Sequence, residues 1–313
     1  MPAMEIDKNK IRAAHLMRWS TRAAVSVATT LVIVKAIAWW LSGSVAMLGS
    51  MTDSGLDLMS SLVTMYAVRT ALLPADEQHR FGHGKAEALA GLFQASIMSG
   101  FAIFLILESI QRLYIGAAPH ASDWVIGSSL IAILLTLALV TFQSYVVRHT
   151  KSLAIAGDHL HYKGDLLLNI GVIVAAILAT RGVDWADGAF GLMIGLYIIQ
   201  GAYSVARPSI DMLMDKELSP DDREKIFNLV MESPGVRGLH DMRTRTAGRD
   251  CFIQMHIEVD GALTVHEAHF IGDEVEAMIG EEFPQADIII HIDPPSKLSA
   301  ILTTRELHDI EGD

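Results

Sequence analysis

The chain holds one cysteine, Cys251, in 313 residues, so no disulfide forms within it and no cysteine-based zinc module can be assembled. Any metal must be held by histidine and carboxylate. Charge is scarce as well. Only 19% of residues are charged, against 51% hydrophobic, with 15 methionines and a mean hydropathy of +0.36. That balance is too apolar for an average soluble protein and predicts an integral membrane protein. A basic surface is missing: the formal net charge is −12, which argues against nucleic acid as a partner and for cations. Also absent is the Gly-x4-Gly-Lys-Ser/Thr spacing of a phosphate loop. Gly82 and Gly84 flank His83, and Lys85 follows, but the register is wrong for cradling phosphate, which removes the sequence reason to expect ATP hydrolysis.

What is present begins with six apolar runs of about 20 residues, over residues 21–43, 45–71, 88–114, 124–147, 155–180 and 187–208. They predict an α-helical membrane protein of six transmembrane helices. The first run follows a charged segment, residues 1–20, and ends at Trp39 and Trp40 without a small-residue cleavage site, so it reads as a retained helix rather than a signal peptide. Basic residues cluster in the N-terminal segment, in the loop of residues 69–87 (Arg69, Arg80, Lys85), in residues 148–151 and at Arg207, whereas the opposite loops hold only Arg181. By the positive-inside rule both termini are cytoplasmic. The expected location is the cytoplasmic (inner) membrane of a bacterium.

Two of the runs are interrupted by ionisable pairs four residues apart: Asp53 and Asp57 in the second, His161 and Asp165 in the fifth. Four residues is about one helical turn, so each pair shares a helix face. Each such group costs roughly 2.5–3.5 kcal/mol to place in hydrocarbon, so four left unpaired would cost about 10 kcal/mol. Three carboxylates and one imidazole suit a divalent transition metal, and the quartet is read as a metal site within the membrane. The loop after the second run carries Asp76, His79 and His83, three further ligand types at short spacing. Lys35 and Glu108 read as structural, Gln94 and Asn169 as interhelical hydrogen bonders, and the methionines as core filler.

Residues 209–313 hold 9 basic and 23 acidic residues, against 15 and 13 in residues 1–208. The acidic part begins with Ser219 and Pro220, an N-cap and first-turn proline, ahead of apolar Ile226, Phe227, Val230 and Met231 at helical spacing. VRGLHDMRTRT and CFIQMHIEV alternate about a turn at Gly248 and predict a hairpin. Thr264 and Glu267 form a capping box for a second helix, and ADIIIHIDPP is a last strand ended by prolines. The α-β-β-α-β order predicts a compact two-layer α+β domain over residues 209–295, with residues 296–313 as a tail. Within it His240, His256, His269, His291 and Asp293 are candidate ligands for one or two Zn²⁺ ions, Asp293 bridging.

Taken together, VKAIAWWLSGSVAML, TDSGLD, LLPADEQHRFGHGKAEALA, DHLHYKGD, WADGAFGL, LHDMRTRTAG, FIQMHIEVD and IIIHIDP make a specific pattern. Over roughly residues 15–295 the chain resembles the cation diffusion facilitator (cation efflux) family, of the bacterial zinc, cadmium and ferrous-iron efflux type. The resemblance implies a transport site at Asp53, Asp57, His161 and Asp165, a loop site at Asp76, His79 and His83, and a binuclear cytoplasmic site at His240, His256, His269, His291 and Asp293 in a ferredoxin-like or metallochaperone-like domain. It implies a homodimer, with Lys85 set against Asp215 as a charge interlock. The expected cargo is Zn²⁺, with Cd²⁺, Fe²⁺ and Mn²⁺ as further candidates, and protons as the exchanged ion, because an imidazole binds metal only when neutral. No catalytic residues are expected. A membrane metalloenzyme, a proton-independent metal channel and a non-transporting membrane metal sensor or assembly partner of the same fold are the alternatives.

Overall fold

The computed structural model of the chain describes residues 2–42, 45–115, 123–179, 181, 183, 185–284 and 286–295. The tail of residues 296–313 therefore lies outside the described residues. The chain divides into two compact units, Lys8–Ile210 and Asp211–Asp313, the latter with Met1–Asp7.

The larger unit contains six long helices: α1 (Pro2–Ser42), α2 (Val45–Ala71), α3 (Lys85–Ile115), α4 (Asp123–Thr150), α5 (Leu153–Ala179) and α6 (Ala186–Leu213). Four segments among the described residues are long and apolar enough to cross a membrane: Ile11–Leu41, Lys85–Tyr114, Leu130–Thr150 and Ala186–Leu213. Helix α2 carries Asp53 and Asp57 in mid-helix and helix α5 carries His161 and Asp165, and such groups lower the local hydropathy without shortening the helix. Large apolar side chains such as Leu56, Phe104, Leu107 and Leu134 point outward and are more than 60% exposed, an arrangement that suits lipid rather than water.

Two helices outrun the apolar runs. Helix α1 begins at Pro2 and continues through the charged N-terminal residues, since lysine, arginine and glutamate are good helix formers. Helix α6 continues through Pro208 to Leu213. Helix α5 occupies the middle of the unit, in contact with α2, α3 and α4. Its approach to α3 is close: a Cβ added at Gly157 would lie 2.8 Å from the Gln94 Cβ. Gln94 is fully buried and spans from α3 to α2, its Nε2 donating to Thr64 Oγ1 (3.1 Å) and its Oε1 accepting from Ser60 Oγ (2.8 Å). Asn169 differs from the expectation, since its amide donates to the carbonyl of Asp165 on its own helix (2.8 Å).

The smaller unit follows the order α7 (Pro220–Met231), β1 (Gly238–Ala247), β2 (Asp250–Glu258), α8 (Val265–Glu282), β3 (Ala286–Asp293). Ser219 caps α7, accepting from the Asp222 N–H, and the Thr264–Glu267 capping box opens α8. The sheet order is β1-β2-β3, with β1 antiparallel and β3 parallel to β2. Ile253, Met255 and Ile257 turn one face of β2 into a core with Leu239, Ile226, Val230, Val275 and Ile279. Alternation then places Gln254, His256 and Glu258 on the other face.

Candidate metal centres

In the helical unit α2 and α5 bring Asp57, His161 and Asp165 together, one ligand-type atom of each lying within 4.8 Å of the others. His161 Nε2 lies 2.8 Å from Asp57 Oδ1 and 3.5 Å from Asp165 Oδ2. Asp53, one turn before Asp57, has an exposed side chain and lies outside this trio. On the other side of the ring, His161 Nδ1 faces the sulfur of Met98 at 3.1 Å. That sulfur is a weak acceptor, and an N–H directed to it leaves Nε2 as the nitrogen that meets both carboxylates. Met98 is thus more than core filler.

The sequence also hides a fully buried carboxylate one turn back along α5. Asp158 accepts from Gln143 Nε2 of α4 (2.7 Å) and from Ser61 Oγ of α2 (3.1 Å), and Ser61 Oγ is 2.8 Å from the Tyr162 hydroxyl. These bonds tie α2 and α4 to α5 beside the trio. Toward one end of the unit Arg112 donates to Glu108 (3.0 Å) and Asp187 (2.7 Å). Glu108 is accounted for by that pairing.

The loop between α2 and α3 forms a second cluster. Asp76 accepts the backbone N–H of Gln78 (2.9 Å) and of His79 (2.6 Å), a turn that folds its carboxylate back over the loop. The His79 N–H, foremost, holds the Asp76 carboxyl below its usual range, so it is ionised at neutral pH. Its Oδ1 lies 3.3 Å from His79 Nδ1 and its Oδ2 3.3 Å from His83 Nε2. The two rings are 4.5 Å apart.

A third cluster covers the open face of the sheet. Register aligns His240, His256 and His291 in one row across β1, β2 and β3, and Gly238, Glu258 and Asp293 in the row two residues away. A bulge between His240 and Arg243, with Asp241 at φ 49°, breaks the β1 ladder beside the first ligand candidate and re-aims it. Asp293 divides its oxygens: Oδ2 lies 2.8 Å from His256 Nδ1 and 3.7 Å from His240 Nε2, and Oδ1 lies 3.3 Å from His291 Nε2. The hydrogen bond from His256, foremost, holds the Asp293 carboxyl below its usual range. His269, on α8, is 73% exposed and 3.7 Å from Asp273; it lies outside the trio of His240, His256 and Asp293.

Of the charge interlock, Lys85 opens α3 in the helical unit, and Asp215, at φ 54°, pairs with Arg245 (3.2 Å) in the smaller unit. Cys251 takes no part in any cluster. Burial, with Asp222 adding to it, pushes its thiol up to about 11, so at neutral pH it stays a thiol and a poor ligand. Maleimide labelling of Cys251 at pH 8 is accordingly expected to run roughly 100-fold slower than that of a free cysteine. Labelling at the free-thiol rate would contradict this environment.

With the geometry in view, the comparisons decide the family. The cation efflux transmembrane domain matches residues 21–214, and the cytoplasmic domain of cation efflux proteins matches residues 218–295. The chain belongs to the cation efflux family. It is 45% identical over 285 residues to the cation-efflux pump FieF of Pectobacterium atrosepticum, covering 90% of this chain and 95% of that one. It is 44% identical over 287 residues to FieF of Yersinia enterocolitica, covering 90% and 94%. Among solved structures, the metal-bound C-terminal domain of the CzcD transporter from Thermotoga maritima is 32% identical, covers 24% of this chain and 87% of that one, and has a TM-score of 0.23. The protein is therefore a cation efflux transporter of the membrane rather than an enzyme.

Proposed function

We propose that the protein exports Zn²⁺, with Cd²⁺ and Fe²⁺ as further cargo, from the bacterial cytoplasm across the inner membrane in exchange for protons. Six helices span the bilayer with both termini inside, the two ionisable helices shielded by α1, α3, α4 and α6. The cargo is held by Asp53, Asp57, His161 and Asp165. One observation carries the exchange: His161 Nε2 and Asp57 Oδ1 are 2.8 Å apart. At that distance an N–H donates to the carboxylate, whereas a divalent ion needs the lone pairs of both atoms. The same two atoms hold either a proton or the metal. Protonation from the outer side expels the ion, and metal arriving from the cytoplasm expels the proton.

The loop trio, Asp76, His79 and His83, is a second metal site, and the acidic cytoplasmic unit is a sensor. Its His240, His256, His291 and Asp293 bind metal and stabilise a homodimer, with His269 as an outlying ligand and Lys85 against Asp215 as the interlock. Metal that binds one state better shifts the population toward it.

The test is His161→Asp, which replaces the single imidazole by a fourth carboxylate. The site becomes all-oxygen and harder, so preference for zinc over manganese falls before overall flux does. The pH at which metal is released also moves down, toward the range where carboxylates protonate. Flux of zinc and manganese against pH in proteoliposomes reads both effects. An unchanged metal ranking with an unchanged pH midpoint would remove His161 from the transport site.

A further inference from the structure

Glu258 is the only buried carboxylate among the described residues of the smaller unit, 6% exposed, and its Oε1 has no hydrogen-bond donor. Such an oxygen is costly unless something positive meets it. Register explains its position. Glu258 lies between Gly238 of β1 and Asp293 of β3, and Gly238 leaves open the space that its carboxylate fills: a Cβ there would lie 3.0 Å from Glu258 Oε2. Glu258 Oε1 is 3.8 Å from His240 Nε2, and Asp293 Oδ2 is 3.7 Å from the same nitrogen. Both gaps are too long for hydrogen bonds. They approach the spacing of about 3.3 Å between neighbouring ligand atoms on a tetrahedral ion with bonds of about 2.0 Å. Glu258 stands outside the trio of His240, His256 and Asp293, whose ligand atoms all lie within 4.8 Å of one another, so its carboxylate has to turn toward that trio to join one ion.

We propose that Glu258 is a metal ligand, completing with His240, His256 and Asp293 a four-ligand site for a zinc-sized divalent cation within one protomer's sheet. Two imidazoles and two carboxylates fill all four tetrahedral positions, so this ion is held in a closed site of the structural kind, with no open position for chemistry. His291, on the other oxygen of Asp293, belongs to the neighbouring ion. The inference rests on the reading of the sheet face as a metal site.

The full-length protein in detergent, carrying Asp57→Ala and His83→Ala to silence the other two clusters, gives the test. Zinc affinity is measured by competition with a chromophoric chelator, and ligand number from the visible spectrum of bound Co²⁺. Glu258→Gln is expected to weaken zinc binding roughly 100-fold, at the upper end of what even a supporting group costs. The Co²⁺ bands should lose tetrahedral intensity as water enters. Should that variant fail to fold, Glu258→Asp, one methylene short, carries the test with about a tenfold loss and the same spectral change. Parental affinity and spectrum in the folded variant overturn the assignment. His240→Ala and Asp293→Ala separate the two readings. If they abolish binding while Glu258→Gln retains it, only the role of Glu258 fails; if they too leave binding unchanged, the sheet face is not a metal site.

Discussion

Asp57→Ala is expected to lower zinc flux more than 100-fold in proteoliposomes while leaving a folded protein, the largest effect of any single substitution in the helical unit. Asp57 is the carboxylate in hydrogen-bond contact with His161, so its loss removes a ligand and the alternative partner of the same imidazole. Groups that merely support a ligand cost 10–100-fold when removed, and a ligand costs more. Alanine is the best helix former, so α2 itself has no reason to break. Normal expression and parental melting, with flux lost, are the expected combination. Parental flux in this variant would show that the cargo travels elsewhere.

Asp293→Ala is expected to remove most of the zinc-induced stabilisation of the cytoplasmic unit. One carboxylate there meets three imidazoles through two oxygens, so on the proposed two-ion reading its loss weakens both ions. A 100-fold loss of affinity is worth about 2.7 kcal/mol of linked stability, or roughly 10–20 °C in the melting temperature of a domain of this size. Acid gives an independent check of the same residue. Its folded pKa is depressed, so its contribution is fully present above the unfolded value of about 3.9 and is lost as pH falls through the lower folded value. The metal-free variant should therefore lose less stability than its parent as pH falls below about 4. Equal zinc-induced melting shifts in mutant and parent would reject the bridging role.

The elements of the smaller unit were legible because each carries a local signal: the Ser219 and Thr264 caps, the alternation of CFIQMHIEV, the prolines after β3. The six helices were legible from apolar length, and their ends were not, because α1 and α6 extend on residues whose helix propensity owes nothing to hydropathy. The pairing of α2 with α5 followed from matched four-residue spacing. Distance information is another matter. Asp158 carries no signal of its own in the sequence, since only the fold brings Gln143 and Ser61 onto it. Met98 gave no signal, since only the packing of α3 on α5 sets its sulfur beside His161. Glu258 was one of several acidic residues until register put it next to a glycine. The exposed placements of Asp53 and His269 were equally out of reach, since spacing fixes a helix face but not its neighbours.

The most direct test of proton-coupled metal export is zinc movement in proteoliposomes under an imposed pH gradient, with internal pH followed alongside internal zinc. The account predicts zinc accumulation that rises with the gradient, a proton flux of opposite direction and matching time course, and the loss of both in Asp57→Ala. Zinc flux that follows its own gradient, unaffected by pH and unaccompanied by protons, would contradict it.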